Sequence, residues 1–309
     1  MAGVEKMRRG GAGEGRGGRH DVVLGVGAGV DPALVGVRGA IVPLVPCGAC
    51  AECSAGRFSA CPTYSFIGSR RDGAFAELVA LPAANLLPIP DGLPFEAAAL
   101  IEPASVARHI LDLGGASAGQ SAVVLGAGSI GLMLVQWLRI LGLGPIVATD
   151  VVPANLEAAR SLGAHAALDP RAGDLGAEVR RLIPGGADLV LEASGSPAAL
   201  EATIEVARTR GAIVLGGNQP PDATLPMSWV ERLMRKELSL SGCFMSYSAP
   251  WPGHEWTDSL AAAVTGGPRG LEMEAMISHR LPLTEAPATL EAIGAHRLAH
   301  RKIVFDPSA

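Results

Sequence analysis

Residues 121–131 read SAVVLGAGSIG: an uncharged apolar run, then the loop Gly126-Ala127-Gly128-Ser129-Ile130-Gly131. A short apolar run closed by glycine predicts a strand buried on both faces. The residues after the loop predict a helix through Leu141. Strand, glycine loop and helix in that order are the setting in which G-x-G-x-x-G carries meaning. The first glycine allows the tight turn, the second lets backbone approach a pyrophosphate, and the third lets the helix pack close to the strand. Free N–H groups at the helix start then offer partial positive charge to phosphate. Forty glycines in 309 residues make the pattern weak by itself. PIVATD (145–150) strengthens it, because this second strand ends in Asp150, 19 residues beyond Gly131. A carboxylate there accepts a hydrogen bond from a ribose 2′-OH and repels a 2′-phosphate. NAD is therefore expected rather than NADP, held by Gly126, Gly128, Gly131 and Asp150, since Val151 and Val152 follow and no Arg.

The alternation continues on the C-terminal side. A helix over ANLEAARSLG ends at Gly163, placed as a C′ glycine. HAALD and ADLVLE (187–192) read as strands, Ser196-Pro197 as a helix start, and GAIVLGG as another strand. Strands and helices alternating at this spacing make a doubly wound parallel sheet covered on both faces. From Val22 to Pro90 the text consists instead of short apolar runs broken by Gly and Pro, which predicts a compact β-rich domain. Pro-rich text returns after Ser248, and KIVFDP reads as a closing strand. One domain (21–108 with 249–309) is thus split around another (109–248). Residues 1–20, with seven glycines, four arginines and no hydrophobic period, are expected to be disordered.

Hydrophobic residues make up 49% and charged ones 18%, an ordinary globular balance with room for two cores. Net charge is −5 and the basic residues are scattered, which argues against a nucleic-acid or anionic-membrane partner. MAGVEKMRRGGAGEG has no apolar core of a signal peptide, and LMLVQWLRILGL is too short and too interrupted to span a bilayer. A cytoplasmic location follows as the expectation.

Four of the five cysteines lie in CGACAECSAGRFSAC (47–61). Cys47, Cys50, Cys53 and Cys61 give C-x2-C-x2-C-x7-C within a lobe spanning 44–64. Two disulfides or unligated thiols are the other readings, but in a reducing compartment clustered cysteines point to metal. Four thiolates saturate a tetrahedral zinc and leave no place for water or substrate, so this zinc is structural. Any chemistry sits elsewhere.

A closed four-cysteine lobe ahead of a Rossmann unit, inside a split β domain, resembles the zinc-containing medium-chain dehydrogenases. YSFIGSRRDGAFAE (64–77), IEPASVARH (101–109) and SYSAPWPGHEW (246–256) are similar to the polyol dehydrogenases of the galactitol-1-phosphate type. The resemblance covers about Val22 to Phe305. It implies a GroES-like β-rich catalytic domain, incomplete at its N-terminus, with the Rossmann sheet inserted in it. It implies NAD-dependent oxidation of a secondary hydroxyl of a sugar alcohol or its phosphate to the ketose, and assembly as a homodimer or homotetramer through the cofactor domain.

In that family a second zinc binds the substrate hydroxyl, with ligands from an early Cys, a G-H-E motif and an E-P motif. Only the last has a match, Glu102-Pro103, so Glu102 is the candidate that remains of a catalytic zinc site. His20-Asp21 resembles His-Glu but sits out of register with VGAGVD (26–31). The expectation is a chain that starts late or carries a frameshift and is weakly active or inactive as written. A degenerate NAD-binding protein that keeps only the structural zinc is the other reading. Arg70 and Arg71 in GSRRDG are candidates for a substrate phosphate, against a loop ion pair with Asp72. Trp251 and Trp256 are candidate pocket walls.

Overall fold

The computed structural model describes residues 3–8, 22–295 and 297–306. The chain divides into two compact units. The first comprises the described residues up to Glu102, Tyr247–Val264, and those from Met273 on; the second comprises Pro103–Ser246 and Thr265–Glu272. The divisions fall at 102/103 and 246/247, a few residues before the positions expected from sequence, and Thr265–Glu272 also joins the second unit.

The first unit begins with short strands: β1 (Gly3–Arg8), β2 (Val22–Gly25), β3 (Gly39–Ile41) and β4 (Leu44–Val45). After the short helix α1 (Ala51–Ser54) come β5 (Ser65–Phe66), β6 (Leu78–Pro82) and β7 (Leu86–Pro88). They pair antiparallel as β2-β1-β6, β3-β7 and β4-β5. In β6 the period of two is plain: Leu78 and Ala80 are exposed while Val79 and Leu81 join Val23, Ile67 and Leu86 in the core. The expectation of a wholly disordered head is corrected at Gly3–Arg8, a strand that pairs with β2 and β6. Only one of the seven glycines of residues 1–20 lies in those six residues, so the composition averaged over the head hid a strand-compatible segment. The rest of the head, including His20 and Asp21, lies outside the described residues.

Helices α2 (Phe95–Ala98) and α3 (Ile101–Leu113) lead into the second unit. There β8 (Ala122–Leu125), α4 (Ser129–Ile140), β9 (Ile146–Thr149), α5 (Pro153–Ser161), β10 (Ala166–Leu168) and α6 (Leu175–Leu182) make one half of the sheet. The other half is β11 (Ala187–Glu192), α7 (Pro197–Val206), β12 (Ala207–Leu215), α8 (Met227–Arg235) and β13 (Ser239–Gly242). The six strands are parallel in the order β10-β9-β8-β11-β12-β13. Chain order reverses between β8 and β11, and the crevice at the carboxyl ends of those two strands is where such sheets bind ligands. All four residues of β8 and of β9 are buried, as a strand covered on both faces requires. Val123, Val147, Val190 and Ile213 of the sheet pack with Val179 of α6, Ile204 of α7 and Trp229 of α8. Each fully buried aliphatic side chain contributes roughly 1.5–3 kcal/mol.

The helix α9 (His254–Thr265), then α10 (Met273–Met276), β14 (Ile277–Pro282), α11 (Ala286–Gly294) and β15 (Lys302–Asp306) complete the chain. KIVFD is indeed a strand, paired parallel with β14. Among the described residues no helix is long and apolar enough to cross a membrane.

Candidate functional site

The cysteine lobe is pinched at its base by the β4–β5 ladder, whose pairs are Leu44–Phe66 and Val45–Ser65. Gly48 (φ +72°) and Gly56 (φ +74°) turn the chain through left-handed backbone that other residues adopt at a cost. Cys50 caps α1, its Sγ accepting from the Cys53 N–H at 3.4 Å, and Cys61 Sγ accepts from the Cys47 N–H at 3.4 Å. No disulfide joins the cysteines. Their four Sγ atoms lie within 4.8 Å of one another, and Cys47 Sγ is 3.9 Å from Cys53 Sγ. A tetrahedron with zinc–sulfur bonds of about 2.3 Å has sulfur–sulfur edges of about 3.8 Å. The donor set therefore fits zinc. Hydrogen bonding from the Ala49 backbone, helped by Thr63 and Cys50, draws the exposed Cys47 thiol down to about 6. Burial pushes the Cys53 thiol up to about 12. A divalent cation is what would ionise the buried Cys53 as well at neutral pH.

In the second unit the glycine loop lies where β8 hands over to α4. Gly126 has φ +96°, and a Cβ there would stand 2.6 Å from the Ser194 Cβ. At Gly131 a Cβ would stand 1.8 Å from the Gly126 carbonyl oxygen, so helix and loop are in backbone contact. Gly128 differs: nothing lies within 4 Å of its Cβ position. It occupies the N-cap of α4 without a capping side chain, leaving that helix end open to an anion. Asp150 is held on both oxygens, Oδ2 accepting from the Ala127 N–H and Oδ1 from the Val152 N–H, each at 2.8 Å. Each oxygen keeps a lone pair for a further donor.

Gly126 and Asp150 line a cavity of about 370 Å³ together with Val151, Arg171, Ser194 and Ser196 and apolar side chains of α6 and α7. An uncapped helix start with open space at Gly128, and a carboxylate fixed to the neighbouring Ala127 N–H, fit a dinucleotide. Beside the cavity lies a group that the strand pattern alone did not mark. Glu192, at the end of β11, is buried, and its Oε1 accepts from the N–H and hydroxyl of Ser194 and from the Gly195 N–H. Its Oε2 accepts from Gln219 Nε2 at 3.0 Å, and its backbone oxygen accepts from the N–H groups of Gly216 and Gly217. One carboxylate thus ties together the loops after β11 and β12. The signal was present in sequence: an acidic residue closing a run otherwise fit for burial.

Ser196 does occupy the N-cap of α7, but its hydroxyl makes no capping bond; its N–H donates to Ser194 Oγ. Gly163 behaves as a C′ glycine should, at φ +120°, with its N–H bonded to the Arg160 carbonyl.

Glu102, in the first turn of α3, lies in the first unit with Tyr247 and Lys302. Burial raises its carboxyl above the usual range, against the pull of Lys302. The Tyr247 phenol is likewise held above its ordinary value by burial and by the charge of Glu102. Taken within single units, the four cysteines are the one gathering of three or more His, Cys, Asp and Glu donors among the described residues. Among the described residues of its unit, the surroundings of Glu102 do not make a complete second zinc site.

Arg70 lies over the Tyr64 ring at 3.8 Å, with Nη1 donating to the Tyr64 carbonyl; Arg71 is exposed. Neither pairs with Asp72 among the described residues. Trp256 is fully buried beside Tyr247, so it packs the core rather than walling a pocket. Trp251 sits edge-on to Phe58 and donates to the Ala84 carbonyl at 2.8 Å.

Comparison with known proteins bears on these sites together. Residues 21–91 match the family model for the alcohol dehydrogenase GroES-like domain, and residues 129–263 the one for zinc-binding dehydrogenases. Galactitol 1-phosphate 5-dehydrogenase of Escherichia coli (strain K12) is 36% identical over 258 residues, 82% of this chain and 73% of the relative. The chain belongs to the zinc-containing medium-chain dehydrogenases. Sorbitol dehydrogenase of Bacillus subtilis is 34% identical over 232 residues, 74% of this chain and 65% of that enzyme. The crystal structure of galactitol-1-phosphate dehydrogenase from Escherichia coli superposes with a TM-score of 0.87 at 30% identity, covering 99% of this chain and 92% of that one. As a medium-chain dehydrogenase the chain is of an oxidoreductase family that combines a GroES-like domain with a Rossmann sheet, and the two subsites just described lie one in each.

Proposed function

We propose that this dehydrogenase is NAD-linked and acts on a secondary hydroxyl of a sugar alcohol or its phosphate, of the galactitol 1-phosphate kind. The observation that carries the reading is Asp150: both its oxygens are held by backbone N–H groups at the edge of the glycine-lined cavity. Gly126, Gly128 and Gly131 admit the pyrophosphate, and Asp150 accepts from the adenosine ribose. NAD supplies the hydride acceptor when bound. Glu192 keeps the loops that bound the cavity in place through its bonds to Ser194, Gly195 and Gln219. Cys47, Cys50, Cys53 and Cys61 hold a structural zinc, which fixes the lobe and does no chemistry. Four free thiols at that spacing suit the reducing cytoplasm.

Glu102 is the residue that corresponds to a catalytic-zinc ligand, and turnover by this chain as written is slow. Arg70 and Arg71 are the cations offered to a substrate phosphate, Arg71 being the freer of the two because Arg70 is committed to Tyr64. The chain assembles as a homodimer or homotetramer through the edge strand β13, where Leu240 is 44% exposed beside Phe244 at 69%. The test is titration of the purified chain with NADH, followed by NAD reduction with galactitol 1-phosphate. NADH binding with slow, polyol-dependent reduction is expected. Absence of NADH binding would refute the cofactor reading, and binding without any turnover would leave a non-catalytic NAD-binding protein.

A further inference from the structure

Asp150 is followed in sequence by valines, yet the cavity does contain a guanidinium, brought from another loop. Arg171 lies three residues past β10 and lines the same cavity as Asp150 and Val151. Its position is built. Nε donates to Asp169 Oδ1 at 2.9 Å and Nη2 to Asp169 Oδ2 at 2.7 Å, a bidentate fork. Nη2 also donates to the Val151 carbonyl at 2.8 Å, which anchors the guanidinium to the residue after Asp150. Asp169 is itself held, Oδ1 accepting from the Arg171 N–H at 2.9 Å. Nη1 has no hydrogen-bond partner among the described residues, so two N–H donors remain beside the carboxylate that selects the ribose. Asp150, Asp169 and Arg171 are two carboxylates and one guanidinium, a formal net charge of one negative.

We propose that Arg171 determines how strongly this cavity discriminates against a 2′-phosphorylated dinucleotide. Asp150 repels such a phosphate; Arg171 offsets that repulsion and offers Nη1 as a donor, while Asp169 holds the guanidinium in place and takes away part of its charge. The discrimination expected from Asp150 alone is therefore reduced, and the counter-ion Asp169 limits the reduction. This inference rests on reading the cavity as the adenosine end of the cofactor site, and the experiment separates the two.

The intact chain is titrated calorimetrically with ADP and with 2′,5′-ADP, as wild type and as Arg171→Ala and Asp169→Asn, each checked by thermal melting. Arg171→Ala should weaken 2′,5′-ADP about tenfold more than ADP, the size of one charge in a half-exposed site. Asp169→Asn should move the ratio of the two affinities by a similar factor in the opposite direction. If Arg171→Ala does not fold, Asp169→Asn alone carries the test, because an unchanged ratio in that variant overturns the proposal. Equal weakening of both nucleotides by Arg171→Ala would place the guanidinium against the base and overturn it as well. Failure of wild type to bind either nucleotide would remove the cofactor reading and this inference together, whereas ADP binding with unchanged ratios would remove the inference alone.

Discussion

Two alanine substitutions in one loop separate the roles assigned to its glycines. At Gly131 an added Cβ meets the Gly126 carbonyl oxygen at 1.8 Å and its carbon at 2.8 Å. Relief requires α4 to move away from the loop by more than about 1 Å, since carbon and oxygen do not pack closer than roughly 3.2 Å. Both partners are backbone inside a buried layer, so Gly131→Ala should cost about 3 kcal/mol, the upper end of ordinary overpacking. That is a fall of about 6–12 °C in the melting of the second unit. At Gly128 the same added carbon meets nothing within 4 Å, and the backbone sits at φ −73° and ψ −162°, open to alanine. Replacing a glycine N-cap by alanine costs only about 0.5–1 kcal/mol. Yet the methyl projects from the helix start where a pyrophosphate is to lie. Gly128→Ala should weaken NADH about 10–100-fold, the loss of one or two charge-assisted hydrogen bonds, with melting nearly unchanged. NADH fluorescence titration and thermal melting on both variants suffice. Unaltered NADH affinity in a folded Gly128→Ala protein would refute the phosphate assignment. Wild-type melting of Gly131→Ala would refute the packing argument.

Replacing Cys53 by Ser removes a buried ligand, and the protein should then lose its zinc to a mild chelator that leaves wild type loaded. Asp188 accepts from the N–H and hydroxyl of Ser121 and from Arg208, which together outweigh the upward push of burial and hold its carboxyl below the usual range. Its stabilising effect is therefore present above the unfolded-state pKa and lost as pH falls through the native one: Asp188→Asn should cost about 1 kcal/mol at pH 7, and urea titrations at successively lower pH should find the gap closing below pH of about 4. A gap that is constant with pH would contradict this. Leu240→Glu, on the exposed edge strand β13, should shift sedimentation from dimer or tetramer to monomer while leaving NADH binding intact; an unchanged sedimentation coefficient would place the interface elsewhere.

The alternation of β8 through β12 was legible because each strand is a short apolar run and each helix carries its own punctuation, as Gly163 does for α5. The cysteine lobe was legible for a similar reason, its donors being close in sequence. Arg171 was not, because selectivity was judged from the residues directly after Asp150, whereas parallel pairing of β9 and β10 brings the next loop to the same cavity. Glu192 escaped for a related reason. A buried carboxylate is tolerable only with donors, and its donors come from Ser194, Gly195 and Gln219, none of which is a motif. Trp251 and Trp256 show the converse, two aromatic residues in a suggestive stretch that are used for packing against Tyr247 and Phe58.

The most direct test is the number of zinc ions per chain in purified, dialysed protein, measured by atomic emission. One zinc, lost in Cys53→Ser and kept in Glu102→Gln, is the result predicted by a filled cysteine lobe and a Glu102 that holds no metal alone. No zinc would contradict the structural site, and two, with one lost in Glu102→Gln, would show a second metal centre built around Glu102.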